Sequence, residues 1–210
     1  MLPALGSAAL EVDTSMRVLP GPDPLFRQRR WATLLEVLSP EECDALIAQA
    51  NGVVSLAGHL VGGRGEAGVR RSDVTWLADT PDNAALYMHL TQAASRLNHD
   101  NFRFALDGFE EEFQLARYRA EVAGHYDWHV DRGGRAVGGR RKLALVVQLS
   151  DADSYEGGAL ELNVDGIVRE APRQRGTAIA FPAYALHRVA PVTNGIRFSL
   201  TAWLHGPDFT

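Results

Sequence analysis

The spacing of apolar residues changes near Phe102, and that change predicts a mixed first half followed by a strand-rich second half. Ser39-Pro40-Glu41-Glu42 joins a capping box to a proline at the first helical position. The helix it opens carries Cys43, Leu46, Ile47 and Ala50 at i, i+3, i+4 and i+7, so Cys43 is expected on the apolar stripe as a packed thiol. Thr80-Pro81 opens a second helix with Leu86, Leu90, Ala93 and Leu97 on one face. A glycine-rich loop from about Gly58 to Gly68 and an extended stretch from Val69 to Trp76 separate the two. Beyond Phe102 the pattern predicts strands over 112–119, 125–131, 142–149, 159–164, 177–181, 186–191 and 196–204. Asp165-Gly166 predicts a two-residue hairpin, and Gly138-Gly139 and Gly157-Gly158 mark further turns. Short strands punctuated in this way point to a sandwich or jelly roll.

Length and composition narrow the class. Residues 1–24, rich in proline and glycine, predict an irregular tail, and residues 25–210 are the size of a single domain with a substantial core. The net charge of −5 creates no global attraction for nucleic acid, and the arginine-rich stretches are local. A lone cysteine excludes an internal disulfide and fits a reducing compartment. No apolar run approaches the roughly 20 residues that cross a bilayer. Met1-Leu2-Pro3-Ala4-Leu5 lacks the basic start of a signal peptide. The expectation is a soluble cytoplasmic protein with neither a nucleic-acid nor a membrane partner; the oligomeric state stays open.

Candidate chemistry centres on His129-Val130-Asp131 and, far downstream, His187. Two histidines and one carboxylate form the ligand set of the facial triad, which holds non-haem Fe(II) and leaves coordination positions open. On a strand, residues i and i+2 share a face, so His129 and Asp131 can reach one metal, with His187 expected to cross the barrel to complete the set. The bland alternative is a chance His-x-Asp on a polar strand edge. His125 and Asp127 have the same parity as His129 and are rival ligands, whereas His59, His89, His99 and His205 read as surface or core histidines.

Arg197 adds a second clue. It stands in the largely apolar run Ile196-Arg197-Phe198-Ser199-Leu200, where an inward guanidinium is costly unless an anion pairs with it. Its planar fork suits a carboxylate, and Ser199 on the same face offers a hydroxyl to the same group. The alternative is an outward, solvated arginine.

The second half resembles the Fe(II)/2-oxoglutarate-dependent oxygenases, specifically their prolyl 4-hydroxylase-like group. The resemblance runs through Tyr118, then Gly124-His125-Tyr126-Asp127-Trp128-His129-Val130-Asp131, Arg141-Lys142-Leu143 and Gln148-Leu149-Ser150. It continues through Tyr155-Glu156-Gly157-Gly158-Ala159-Leu160, His187-Arg188-Val189 and Gly195-Ile196-Arg197-Phe198-Ser199-Leu200, with weaker likeness over 38–50 and 70–98. It implies an α+β, mainly β fold, a double-stranded β-helix (jelly roll, cupin-like) core at about 102–206 with N-terminal packing helices. It further implies that His129, Asp131 and His187 bind Fe(II) and that Arg197 binds the distal carboxylate of 2-oxoglutarate. Tyr118 resembles a tyrosine lining the same pocket, and Gln148 stands where several relatives carry a co-substrate-contacting tyrosine. The implied reaction is hydroxylation of an unactivated C–H bond with release of succinate and CO2, O2 as oxidant and ascorbate as an external reductant. A small residue in place of Asp131 would instead have resembled a halogenase.

The substrate is less legible. The glycine-rich, cationic loop 131–140 directly follows a metal ligand and reads either as a lid over an acidic substrate or as a solvated connector. Asp127, Trp128, Arg71 and Arg135 are the candidate substrate contacts, for an amino-acid, peptidyl or related small-molecule substrate. Collagen-type enzymes carry lysine where Arg197 stands, and nothing in the chain resembles their peptide-binding domain. Two rival functions are a non-catalytic cupin-like module that binds a metal or small ligand, and an oxygenase-fold interaction protein with a vestigial pocket.

Overall fold

Helix α1 (Pro40–Gly52) begins at its expected proline, and helix α2 (Ala84–Asn101) begins three residues beyond Pro81. These come from a computed structural model that describes residues 29–52, 56–57, 68–134 and 137–208. The predicted tail, most of the glycine-rich loop, His59 and Arg135 lie outside the described residues. The capping box at α1 forms reciprocally: Ser39 N donates to Glu42 Oε2 at 2.7 Å, and Glu42 N donates to Ser39 Oγ at 3.2 Å. Pro81 sits in a 3₁₀ turn, Pro81–Asn83, that leads into α2.

The first strands are β1 (Ala32–Leu34), β2 (Leu56–Ala57), β3 (Arg70–Arg71), β4 (Asp73–Leu77), β5 (Gly108–Phe109), β6 (Phe113–Arg119) and β7 (His125–His129). They are followed by β8 (Arg141–Gln148), β9 (Tyr155–Gly157), β10 (Leu160–Asn163), β11 (Arg169–Glu170), β12 (Ala178–Pro182), β13 (Leu186–Val189) and β14 (Val192–His205). A major sheet runs β1-β12-β8-β14-β6-β4-β2, with β5 and β9 also on β14, and a minor sheet runs β11-β10-β13-β7-β3. Every pairing is antiparallel. This is the mainly β, jelly-roll architecture that the pattern and the resemblance imply.

Three layers result. Cys43, Leu46, Leu90 and Leu97 from the helices pack with Phe113, Leu115, Leu145 and Leu200 on one face of the major sheet. On its other face, Ala116, Tyr118 and Val146 pack with Leu160, Leu162 and Val189 of the minor sheet. With both faces covered, β8 is buried along its whole length. Burial pushes the Cys43 thiol up, in keeping with a packed rather than a nucleophilic cysteine.

Two local expectations change. Leu162 pairs with Arg169, so the connection spans 163–168 and Asp165-Gly166 does not form a two-residue hairpin. The Asp165 carboxylate is instead drawn to the Arg169 guanidinium at 2.7 and 3.0 Å and to Arg30, which holds a wider loop. The second change is at β7, which ends at His129: the backbone N–H groups of Asp131 and Arg132 both donate to Ala183 O, at 2.9 and 2.8 Å, and leave the ladder.

Candidate metal and carboxylate site

The minor sheet supplies the histidines. His129 on β7 and His187 on β13 are direct register partners, with ring centroids 4.1 Å apart. His187 therefore stands beside His129 on the neighbouring strand and does not reach across the barrel, because β13 inserts between β7 and β10. Asp131, two residues past the end of β7, completes the cluster. Its Oδ1 lies 3.6 Å from His129 Nε2 and its Oδ2 lies 3.5 Å from His187 Nε2.

A bulge decides which residues of β7 face this site. His129 pairs with His187 and Tyr126 with Val189, so Asp127 and Trp128 together oppose the single residue Arg188. The extra residue reverses strand parity. His129 shares the inward face with Tyr126, whose ring stacks on it at 3.5 Å, and not with His125 and Asp127. The parity that made those two rival ligands is thus broken. Both ring nitrogens of His125 lie 2.8 Å from backbone carbonyls, of Ala123 and Gly68.

The two inward imidazoles are oriented alike. His129 Nδ1 lies 2.7 Å from Asp127 O, and His187 Nδ1 lies 2.9 Å from Ala185 O, each two residues upstream. A proton on each Nδ1 satisfies those carbonyls and turns both Nε2 lone pairs towards Asp131. Burial pulls the His187 imidazole down to about 4, outweighing the Asp131 carboxylate, so the ring is neutral near pH 7. Burial alone would raise the Asp131 carboxyl, but the His187 and His129 imidazoles hold it well below the usual carboxylate range. Asp131 Oδ2 is buried and accepts no hydrogen bond. A buried, under-satisfied carboxylate facing two Nε2 ring nitrogens is the donor set that fits a divalent cation. Among the described residues, His129, Asp131 and His187 are the group placed to hold one.

The major sheet supplies the other wall. Arg197, Ser199, Thr201 and Trp203 of β14 line a cavity with Gln114 and Tyr118 of β6, and His129, Asp131 and His187 line the same space. Arg197 is 0% exposed. Its Nη1 donates to Ser199 Oγ at 3.2 Å, its Nη2 donates to Gln148 Oε1 at 2.9 Å, and its Nε has no partner. Tyr118 lies beneath the guanidinium, 5.4 Å from its carbon to the ring centre. Among the described residues no carboxylate lies within ion-pair distance of this buried cation.

Sequence reasoning placed some residues too near this cavity and missed others. Gln148 does not line it; it stands behind Arg197 and is anchored by its own Nε2–H to Pro172 O at 3.0 Å. Asp127 is exposed, displaced to the outer face by the bulge, and Trp128, already on that face by alternation from His129, lies under the Arg188 guanidinium at 4.8 Å. Arg71 is exposed on a separate groove, because its neighbour Arg70 takes the inward position over the Tyr126 ring at 4.6 Å. Thr201 and Trp203 were within reach of the period-2 rule applied forward from Arg197, and Gln114 by the same rule from Tyr118. Tyr126 was hidden by the bulge.

Behind the site lies a buried ionic cluster that the sequence did not announce. Arg141 Nη1 donates to Asp131 O at 3.2 Å, and its guanidinium sits 3.9 Å over the Trp203 ring. Arg141 Nε donates to Glu111 Oε2 at 2.6 Å, and His205 Nε2 lies 2.9 Å from the same oxygen. The cluster ties the backbone at Asp131 to the end of β14.

Comparison with known proteins places the chain in one family. The profile of the 2OG-Fe(II) oxygenase superfamily matches residues 113–205, which contain every residue of the cavity named above. A PKHD-type hydroxylase of Synechococcus sp. is 30% identical over 179 residues, covering 81% of this chain and 76% of that relative. A PKHD-type hydroxylase of Maricaulis maris is 37% identical over a shorter stretch, 43% of this chain and 40% of that one. The structure of a Pseudomonas putida prolyl-4-hydroxylase superposes with a TM-score of 0.66 at 20% identity, covering 85% of this chain and 94% of that one. A Trichoplax adhaerens prolyl hydroxylase, solved with a hypoxia inducible factor peptide fragment, superposes with a TM-score of 0.66 at 17% identity, over 84% of this chain and 83% of that one.

Proposed function

The chain belongs to the 2OG-Fe(II) oxygenase superfamily, as a prolyl 4-hydroxylase-like, 2-oxoglutarate-dependent dioxygenase, and we propose that it hydroxylates an unactivated C–H bond of a peptidyl substrate and releases succinate and CO2. In this reading His129, Asp131 and His187 hold Fe(II), and Arg197 with Ser199 takes the far carboxylate of 2-oxoglutarate. The single observation that carries it is the buried Arg197 guanidinium without a carboxylate partner, in the same cavity as the His-Asp-His cluster. A plain metal clamp has no use for such an anion anchor, which disfavours the non-catalytic module. No member of the ligand set is lost, which disfavours a vestigial pocket.

The metal, when bound, supplies oxygen activation coupled to oxidative decarboxylation of the co-substrate. The residues supply placement. Arg197 fixes the far end of the co-substrate through charge-assisted hydrogen bonds, strengthened by burial. Tyr118 closes the space beneath the guanidinium. Asp127 O and Ala185 O, by accepting the Nδ1 protons, keep both histidines in the tautomer that presents Nε2. Burial, together with the Asp131 carboxylate, pushes the Tyr126 hydroxyl up to about 12 despite Arg70, so it stays a neutral phenol beside His129. The peptidyl assignment draws on the peptide-bound Trichoplax neighbour.

Succinate formation with Fe(II), 2-oxoglutarate, ascorbate and pools of amino acids and peptides tests the reading, with products screened for a mass gain of one oxygen. Turnover that needs both iron and 2-oxoglutarate is the expected result. Unchanged turnover in His129→Ala or Asp131→Ala would sink the site assignment.

A further inference from the structure

Arg70 has the metal-site cavity on one side and a cationic groove on the other. That groove is lined by Arg70, Arg71, Arg117 and Arg119 against Asp73 and Glu121, four guanidiniums to two carboxylates in a chain of net charge −5. One oxygen, Asp73 Oδ2, serves two of them: Arg117 through Nε at 3.0 Å and Nη2 at 2.9 Å, and Arg119 through Nε at 3.1 Å. Arg70 donates to two neutral oxygens, Ser72 Oγ and Gln114 Oε1, both at 2.7 Å. Among the described residues, Arg71 reaches only the carbonyl of Val122, at 3.5 Å. Among the described residues neither Arg70 nor Arg71 has a carboxylate partner, so the groove keeps a positive excess that favours an anionic ligand.

Groove and cavity share a wall. Arg70 lies over Tyr126, Tyr126 stacks on His129, and Gln114, which accepts from Arg70, lines the cavity. The separation can be read from register. Arg71 pairs with His125, four residues before His129 on β7, but the bulge sets Asp127 and Trp128 against the single Arg188 and removes one step, which places it about 10 Å along the strand at ~3.3 Å per residue. A ligand that occupies both must therefore be extended. A peptide advances about 3.3–3.6 Å per residue, so about three residues cover the gap, whereas a free amino acid is too short to do so.

We propose that this groove holds an acidic side chain of a peptidyl substrate, about three residues from the position that is oxidised. The proposal rests on the oxygenase reading above and names its substrate class. Contacts remote from the reacting bond supply binding and register, which a small cavity alone cannot give.

The test is fluorescence anisotropy on the full chain, without iron or 2-oxoglutarate, using two fluorescein-labelled peptides. One alternates glutamate with glycine, and the other alternates glutamine with glycine. The acidic peptide is expected to bind tighter by about tenfold or more at low salt, a preference that narrows as salt screens the groove. Arg71→Gln and Arg119→Gln are each expected to erase most of that preference. Arg96→Gln, which removes the same charge from α2 outside the groove, is expected to leave it. Equal binding of the two peptides overturns the proposal, as does equal weakening by Arg96→Gln, which would mark non-specific attraction. Arg119 shares Asp73 and its loss can loosen the fold, so the exposed Arg71 carries the decision, with thermal melts confirming that each variant is folded. Titration of 2-oxoglutarate with Arg197→Ala reports on the catalytic reading separately, so failure of one leaves the other measurable.

Discussion

His129 and His187 are register partners on adjacent antiparallel strands, and each holds its Nδ1 against the carbonyl two residues upstream. The ladder sets the distance between the rings, and the paired carbonyls set the tautomer. The metal cluster is therefore organised before any ion arrives, and only Asp131, beyond the strand end, depends on loop geometry.

That preorganisation predicts how the ligands fail. His187→Ala and Asp131→Ala are expected to abolish Fe(II) binding, measured by anaerobic titration, while the fold survives. For Asp131→Ala the ligand-free chain should lose little stability, since Oδ2 has no hydrogen bond to lose. A large fall in its melting temperature would mean that the carboxylate is structural.

Arg197 yields a contrast between binding and stability. Truncating one partner of a buried charge pair costs about 2–5 kcal/mol, so Arg197→Met should raise the 2-oxoglutarate requirement by about thirtyfold to a few thousandfold. The ligand-free protein behaves differently, because its guanidinium has no counter-charge. Relief of a buried charge should offset the Gln148 Oε1 left without a donor, and stability should change by no more than about 1–2 kcal/mol. Chemical denaturation with and without 2-oxoglutarate measures both; a drop like that of a broken salt bridge in the ligand-free chain would contradict the assignment.

Glu111 makes acid stability testable. Burial would raise its carboxyl, but His205 and Arg141 hold it down to about 2, against an ordinary value of 4.5. A folded-state value below the unfolded one gives stability that is complete above about pH 4.5 and is lost as pH falls through about 2. Glu111→Gln keeps the shape but strands Arg141, at a cost of about 3–5 kcal/mol. Denaturation followed from neutral pH to about pH 2 should show the variant less stable at neutral pH and less sensitive to acid across that window. Parallel curves would remove the ionic cluster from the account.

Gly158 links a turn to the anchor. Its φ is +61°, and a Cβ there would lie 2.9 Å from Val192 Cγ2 and 3.1 Å from Arg197 Cδ. The left-handed backbone alone costs a side chain about 1–2 kcal/mol. Gly158→Ala is expected to lower stability by roughly 1–3 kcal/mol and to weaken 2-oxoglutarate binding by displacing Arg197. Thermal denaturation and ligand titration check the two effects, and intact binding would show that Arg197 tolerates the crowding.

Much of this protein was legible in the chain. The capping box at Ser39–Glu42, the apolar stripe of α1 and the strands from Phe113 to His205 are written in local spacing, because caps and periodicity depend on neighbours a few residues apart. The site residues His129, Asp131 and His187 could be named because two histidines and a carboxylate match a metal-ligand set within a family resemblance, and Arg197 because a cation is out of place in an apolar strand. Which of them meet, and how, was decided only by the tertiary structure. One extra residue at Asp127–Trp128 reversed the parity of β7, moved His125 off the inner face and brought Tyr126 in. Insertion of β13 between β7 and β10 made His187 a neighbour of His129, and the place of Gln148 behind Arg197 followed from pairing across the major sheet. Periodicity assumes an unbroken ladder, whereas bulges and strand order arise from contacts between residues far apart in sequence. That is why the chemistry could be read from the sequence while its geometry had to be seen.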